Sequence, residues 1–179
     1  MSKNLIRNTA ALAALAAAAV AGANYFFLQR PLSAVTDDQR NAGIHVFAHY
    51  EYFLNPNVLV YDLRTVSKES SPMDVTRVLA QYAEKIKARS FNSVTLSHQG
   101  KAKFKMQGTY FQTLGAEYGT QNPAYTLRTL PQNIYKLDGT PAFETWTGGM
   151  LGVLGRQMDD FVAWHRAWYI EDLIPGGKE

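Results

Sequence analysis

Three consecutive elements with readable connections lie between Asn57 and Gly108, and they predict the centre of the fold. Residues 57–65 have the pattern of a β-strand, residues 71–89 that of an amphipathic helix, and residues 91–106 that of a β-hairpin. A strand, a crossover helix and a second strand place the two strands side by side and parallel, with a right-handed connection. The sequence therefore predicts an α+β fold with a βαββ core sheet.

The crossover helix has a well-defined start. Ser71 is predicted to be the N-cap, Pro72 occupies the first helical position, where no amide donor is needed, and Asp74 faces back toward the cap. Apolar residues then recur at helical spacing as far as Ile86. They form one stripe that can lie on the sheet, so we expect this helix to be structural.

The register of the hairpin can be predicted from the alternation of its side chains. A three-residue loop over residues 98–100 pairs Leu96 with Ala102. The same loop pairs Val94 with Phe104. With this register every apolar side chain of the hairpin faces the core.

The opposite face of the predicted hairpin carries Lys101, Lys103 and Lys105. Three ammonium groups on one face can hold an anionic lipid headgroup, a phosphate or an acidic protein partner. Lysines on an exposed strand also keep a sheet edge soluble, which is the more common reason for such a pattern. These lysines, together with Arg128 further along the chain, are the candidate binding residues.

A short second helix and a long C-terminal amphipathic helix complete the predicted domain. The short helix covers residues 109–118. Residues 121–145 are irregular, and a turn at Asp138-Gly139 is predicted to place Tyr135 opposite Ala142. Such extended segments would add to the edge of the sheet.

The long C-terminal helix is predicted to begin in a glycine-rich segment and to end near Leu173. Gly149, Gly152 and Gly155 are expected to thin one helix face for close packing, because the segment lacks the Gly-Lys-Ser/Thr pattern of a phosphate-binding loop. The residues of its apolar stripe are Leu151, Leu154, Met158, Phe161, His165 and Trp168.

Residues 1–28 are predicted to be an N-terminal signal peptide or membrane anchor. Lys3 and Arg7 form a short basic head. They precede 21 uncharged residues, 8–28, which are enough to cross the hydrocarbon core of a bilayer.

Two interpretations of this segment remain open. In one, an Ala-x-Ala site ending at Ala23 is cleaved, and the segment is a secretory signal. In the other, which the length and the aromatic residues 25–27 favour, the segment stays in the chain as an anchor. Both place the domain outside the cytoplasm because the positive charges stay inside, and in a bacterium the domain then faces the periplasm.

The polar residues 29–43 are predicted to be a tether that runs into a short helix, and residues 44–179 to be a single α+β domain. Cysteine is absent, so disulfides, thiolate ligands and thiol nucleophiles are excluded. Residues 24–179 contain 16 basic and 15 acidic side chains. Nucleic-acid-binding domains normally carry clustered positive charge, so we expect no nucleic-acid partner.

Three histidines and one glutamate are the candidate metal-binding or catalytic residues. His45 and His49 would share one face of a helix, and Glu51 would supply a carboxylate as a third metal ligand. The segment lacks the HEXXH pattern, and histidines among aromatic residues more often belong to the core. His165 lies in the apolar stripe near Asp160, but no nucleophile can be assigned to such a pair. We therefore expect no metal and no cofactor.

These features predict a membrane-tethered, extracytoplasmic domain with a non-enzymatic binding or assembly role. The alternative is a small hydrolase or metal-dependent enzyme that uses His45, His49 and Glu51, or His165. The expected partners are the membrane, through residues 8–28, and a protein or an anionic ligand. Neither the identity of that ligand nor the oligomeric state follows from the sequence.

Overall fold

The computed structural model describes residues 3–147 and 150–174. The strands are β1 (Ile44–Glu51), β2 (Asn55–Val66), β3 (Ser93–His98), β4 (Lys101–Gln107) and β5 (Ile134–Tyr135). The helices are α1 (Lys3–Asn24), α2 (Arg30–Thr36), α3 (Pro72–Lys85), α4 (Gly108–Glu117), α5 (Pro123–Thr129), α6 (Met150–His165) and α7 (Glu171–Leu173). The strands form one mixed sheet in the order β1-β2-β3-β4-β5, so the predicted α+β fold is confirmed.

The predicted βαββ core is present in β2, α3, β3 and β4. Strands β2 and β3 are parallel, with Val58 opposite Ser93, and β4 returns antiparallel to β3. Helix α3 begins as predicted, because the Ser71 hydroxyl accepts a hydrogen bond from the backbone N–H of Asp74 at 3.3 Å. The Asp74 carboxylate accepts one in return from the Ser71 N–H at 2.8 Å, which completes a capping box.

The main core lies between the sheet and the helices. The ring of Tyr61 in β2 lies 5.9 Å from that of Tyr82 in α3 and 6.1 Å from that of Trp168 near the C-terminus. Leu96 of β3 pairs with Tyr61 and is also fully buried on this face. Complete burial of one large apolar side chain contributes about 2 kcal/mol to the free energy of folding.

The predicted register of the β3–β4 hairpin is wrong. The turn contains two residues, 99–100, rather than three, and a β-bulge at Lys103 follows it. Phe104 is consequently opposite Leu96 and not opposite Val94. The bulge adds one residue to β4, so the apolar residues beyond it still face the helices although the pairing differs.

The short second helix is confirmed as α4, and β5 extends the sheet beyond β4. The predicted turn after β5 is also present, with Gly139 at a φ of 90°. The bridge across this turn joins Tyr135 to Pro141 rather than to Ala142. The position of the turn was therefore predicted correctly, but its register is shifted by one residue.

The long C-terminal helix is confirmed and runs through α6, a π-helical turn over Arg166–Ile170, and α7. Gly152 and Gly155 have no atom within 4 Å of the position that a Cβ would occupy, so they do not thin a packed face as predicted. Gly149 lies outside the described residues. The buried residues of the second half of this helix are Phe161, Trp164, His165, Trp168 and Tyr169.

The N-terminal residues form one continuous helical path. Helix α1, a π-helical turn over Tyr25–Gln29 and α2 follow one another without a break. The predicted tether over residues 29–43 is wrong, because Leu32 and Val35 within it are buried in the core of the domain, as is Leu28 just before it. Their helical spacing gives this segment an apolar face that packs on the domain.

The same helical path covers the open edge of β1. The backbone N–H of Ala48 donates a hydrogen bond to the side-chain oxygen of Gln29 at 3.1 Å. The backbone N–H of Tyr50 donates to the side-chain oxygen of Asn24 at 2.8 Å. An uncovered strand edge invites pairing with other chains, so these two amide side chains protect the edge of the sheet.

Candidate functional site

The first part of α1 projects from the domain with its apolar surface exposed. Residues 7–19 are all exposed, and Leu12 and Leu15 are 66% and 68% exposed. Among the residues that the structure describes, Arg7–Thr36 is the one helical stretch long and apolar enough to cross a membrane by length and composition. An exposed apolar helix of this kind is typical of a membrane anchor or of a signal sequence.

The projecting helix joins the domain at Asn24. This residue is 6% exposed, and its side-chain nitrogen donates a hydrogen bond to the backbone carbonyl of Phe53 at 2.9 Å. Its side-chain oxygen accepts the bond from Tyr50 described above. The nitrogen and the oxygen of the Asn24 amide group therefore both bind the tip of the β1–β2 hairpin, and they fix the helix to it.

The tip of the β1–β2 hairpin carries three exposed apolar side chains. Tyr52, Phe53 and Leu54 are 81%, 45% and 69% exposed. Tyr52 and Phe53 have φ values of 51° and 62°, which is the left-handed region that glycine and asparagine usually occupy in hairpin turns. The ring of His49 stacks on that of Phe53 with 4.5 Å between the centroids. Two large side chains thus occupy a backbone conformation that glycine or asparagine would adopt at a lower cost in free energy.

Three more aromatic residues surround the point where the helix enters the domain. Tyr25, Phe26 and Phe27 follow Asn24 directly and are all exposed. The guanidinium carbon of Arg89, from the loop after α3, lies 4.1 Å from the ring centroid of Phe27. We refer to the exposed apolar residues at this end of the molecule as the apolar collar, which consists of Tyr25, Phe26, Phe27, Tyr52, Phe53 and Leu54.

The predicted lysine face is not formed. Lys103 lies at the bulge, and its ammonium group binds the carboxylate of Asp172 at 2.8 Å. Lys101 pairs with His98 beside the turn, and Lys105 pairs with Thr95 on the other face of β3. Because the bulge changes the alternation of side chains, the three ammonium groups do not share one face.

A contact that the sequence did not predict joins the hairpin to the end of the C-terminal helix. His98 is fully buried, and its Nδ1 atom lies 2.7 Å from the Asp172 carboxylate. The hydrogen bond from Lys103, followed by the one from His98, lowers the pKa of Asp172 to about 2. Asp172 is therefore ionised at neutral pH and holds α7 against the hairpin.

The predicted metal-binding set is not assembled. His45, His49 and Glu51 lie on strand β1 and not on a helix, so His45 and His49 are roughly 13 Å apart along the strand. Among the described residues, no group of three or more His, Asp or Glu side chains is close enough to hold a metal ion. The alternation of apolar and polar residues over Ile44–Glu51 was the signal that could have identified a strand.

His165, the last residue of α6, is buried against α3. Its Nε2 atom lies 3.0 Å from the hydroxyl of Thr76, and its Nδ1 atom lies 3.0 Å from the carbonyl of Phe161. Burial lowers the pKa of His165 to about 4. Both ring nitrogens thus have partners within the fold, which is typical of a structural histidine.

Arg128 lies on α5, where its guanidinium carbon is 5.8 Å from the ring centroid of Tyr125. Helix α5 also forms one wall of a groove of about 360 Å³ beside α3 and α4, and Arg128 is not part of that wall. The apolar residues of the groove include Met73, Ala80, Leu114 and Leu127.

The chain matches no protein-family model, and no curated protein or solved structure is significantly similar to it. Its function must therefore be inferred from the geometry and chemistry of the described residues. The end of the domain where α1 meets the apolar collar is the most distinctive of these features. The sequence contained one sign of it, the polar Asn24 within a long apolar run.

Proposed function

We propose that this chain is a membrane-anchored domain on the extracytoplasmic side, with a non-enzymatic role in binding or assembly. One observation supports the membrane part of the proposal above all others. The exposed apolar helix α1 passes without a break into a segment whose Leu28 and Leu32 are fully buried in the domain. A helix of this kind can hold a domain at a membrane surface without a flexible connection.

The burial of Asn24 favours an anchor over a cleaved signal. Cleavage after Ala23 would create a charged α-amino group on a residue that is 6% exposed. Burying a charge without a partner is costly. Cleavage would also remove Val20, whose carbonyl accepts a hydrogen bond from the Asn24 side chain at 2.9 Å.

The charges beside the helix favour an orientation with the N-terminus in the cytoplasm. Lys3 and Arg7 precede the apolar residues, and no acidic residue occurs before Asp37. Basic residues beside a membrane helix remain on the cytoplasmic side. The domain would then lie on the opposite side, which is the periplasm in a bacterium.

The polar residues support binding more than catalysis. The hydrogen bonds of His165 and the contact between His98 and Asp172 give both rings structural partners. The groove beside α3, α4 and α5 combines apolar walls with polar groups from Glu117 and Gln121. That combination is typical of sites for small ligands or short peptide segments.

The alternative function is a small hydrolase or metal-dependent enzyme that uses His45, His49 and Glu51, or His165. Strand geometry separates the first two histidines, and burial lowers the pKa of His165, so neither set favours this alternative. Metal analysis of the purified full chain discriminates between the two functions. A stoichiometric metal that disappears in the His49→Ala variant would favour the enzyme.

The anchor and its orientation can be tested in one expression experiment on the full chain. Because cysteine is absent, single variants Gln99→Cys, at the far hairpin turn, and Ser2→Cys provide unique labelling sites. We expect an uncleaved mass, resistance to carbonate extraction, and reaction of Gln99→Cys with a membrane-impermeant maleimide added outside the inner membrane. The Ser2→Cys variant should react only after lysis.

Two results would contradict the proposal. A soluble product that begins at Asn24 would mean that the segment is a cleaved signal. Reaction of Ser2→Cys, but not of Gln99→Cys, before lysis would mean that the domain faces the cytoplasm.

A further inference from the structure

We propose that the apolar collar is a second membrane contact, in which the hairpin tip inserts into the boundary between lipid headgroups and acyl chains. The inserting residues are Tyr52, Phe53 and Leu54, beside Tyr25, Phe26 and Phe27 of the helical turn. This inference rests on the proposed function, because it assumes that α1 crosses the membrane. It adds that the domain lies directly on the lipid surface.

The length of the exposed part of α1 requires that the domain lie directly on the lipid surface. Residues 8–23 are the uncharged part of α1 that precedes its contact with the domain at Asn24. At 1.5 Å per residue these 16 residues span roughly 24 Å, whereas the hydrocarbon core of a bilayer is about 30 Å thick. The hydrocarbon boundary therefore extends past Asn24, to the level of the exposed residues 25–27.

The hairpin tip lies at that same level. The side chain of Asn24 binds the backbone of both Tyr50 and Phe53, at 2.8 and 2.9 Å. Because the helix and the tip are joined by these bonds, the tip cannot remain in water while the helix reaches the lipid boundary. The continuity of the collar with the membrane helix identifies lipid, rather than another protein, as the surface that covers it.

The chemistry of the collar suits the lipid interface. Tyrosine and other amphipathic aromatic residues collect at the level of the headgroups, with basic side chains that reach the phosphates. The collar contains two tyrosines and three phenylalanines, and the guanidinium of Arg89 lies against the ring of Phe27. Arg89 is placed to meet an anionic headgroup next to that ring.

The backbone of the tip provides an independent argument. Tyr52 and Phe53 are non-glycine residues with positive φ, and such positions are unfavourable for large side chains. Residues held in this conformation tend to mark functional segments. The positive φ angles place the side chains of Tyr52 and Phe53 beside the anchor. Burial of these side chains in lipid would offset the free-energy cost of that backbone conformation.

Spin labels on the full-length chain test the inference. The cysteine-free sequence permits single variants Leu54→Cys and Tyr52→Cys at the tip, and Gln99→Cys as a matched control. Gln99 is also exposed, lies in a hairpin turn with a φ of 50°, and is at the opposite end of the sheet. A label at Leu15→Cys reports on the anchor itself.

Each labelled chain is reconstituted into vesicles of phosphatidylethanolamine and phosphatidylglycerol, and its fold is verified by circular dichroism. The measured quantity is the ratio of collision with oxygen, which concentrates in lipid, to collision with a water-soluble nickel chelate. We expect this ratio to be several-fold higher at Tyr52 and Leu54 than at Gln99. If one tip variant fails to fold, the other gives the same reading.

The outcomes separate the two proposals. A ratio at both tip positions equal to that at Gln99, with Leu15 in lipid, would overturn the second contact and leave the anchor intact. A label at Leu15 that is in water would overturn the anchor and the second contact together.

Discussion

His165 illustrates how a single buried residue can determine the response of the whole chain to acid. Its Nδ1 atom faces the Phe161 carbonyl, which can only accept a hydrogen bond, so Nδ1 carries the ring proton. The ring is consequently neutral in the folded state at neutral pH, and burial holds its pKa near 4 against an ordinary value of 6.5. Protonation of this ring inside the fold carries the free-energy cost of a buried charge.

We predict that His165 makes the protein less stable in mild acid. Between pH 6.5 and about 4 the unfolded chain binds a proton at His165 that the folded chain does not, so stability falls as the pH falls. The loss is on the order of 3 kcal/mol across this range. Urea unfolding should therefore depend less on pH in His165→Asn than in the wild type. Equal pH dependence in His165→Asn and in the exposed control His45→Asn would contradict the prediction.

Contacts between residues that are close in the sequence could be predicted, whereas contacts between distant residues could not. The Ser71 and Asp74 cap was predicted because three positions along the chain fix its geometry. The bond between His98 and Asp172 joins residues 74 positions apart, and Lys103, at the hairpin bulge, binds the same carboxylate. No pattern within the sequence indicates that these side chains are in contact.

At the scale of elements, helices α3 and α4 approach until their backbones touch. A Cβ added to Gly115 of α4 would lie 2.4 Å from the carbonyl of Ala83 in α3. Backbone atoms cannot move aside as the end of a long side chain can. The crossing of these two helices therefore depends on the missing side chain of Gly115.

We predict that Gly115→Ala destabilises the protein by about 3 kcal/mol, because the added methyl group forces the helices apart. Gly155→Ala, in the exposed part of α6, is the matched control, since a Cβ there would meet no atom within 4 Å. It should stabilise the protein by up to about 1 kcal/mol, through the higher helix propensity of alanine. Thermal unfolding of both variants measures the difference, and a neutral Gly115→Ala would mean that the helices are not in close contact.

The elements themselves were largely predictable, but their junctions were not. The βαββ order follows from the pattern of apolar residues, and the structure confirms it. The hairpin register was missed because a bulge changes the alternation without changing the composition. The packing of α2 was missed because Leu32 and Val35 lie in a segment that is otherwise polar.

At the scale of the whole molecule, the two ends of the sheet differ in chemistry. The end beside α1 carries the apolar collar, whereas the opposite end carries His98, Asp172 and the turn at residues 99–100. Strand β2 crosses the distance between them. The sequence indicated a membrane segment, but the collar could not be predicted, because it exists only where the helix and the hairpin tip meet.

We predict that α1 has a fixed direction relative to the sheet. Spin labels on Leu12→Cys and Gln99→Cys in the vesicle-bound chain should give one narrow distance distribution, because Asn24 and Leu28 leave no hinge. Inserting a flexible glycine-serine segment after Ala23 is the control that should broaden it. A broad distribution in the chain without the insertion would mean that the helix swings freely.

The helical path from α1 into the domain has no break. This continuity would limit the positions at which a partner can contact the protein. His98, beside the remote turn, pairs with Leu63 of β2, eight residues after Asn55, so the turn stands roughly 30 Å beyond the collar. If α1 anchors the domain in the fixed direction that we propose, that turn would stay in a thin layer at one height above the lipid. An encounter with another protein of the same membrane would then be a search in two dimensions, between molecules whose relative tilt is already set.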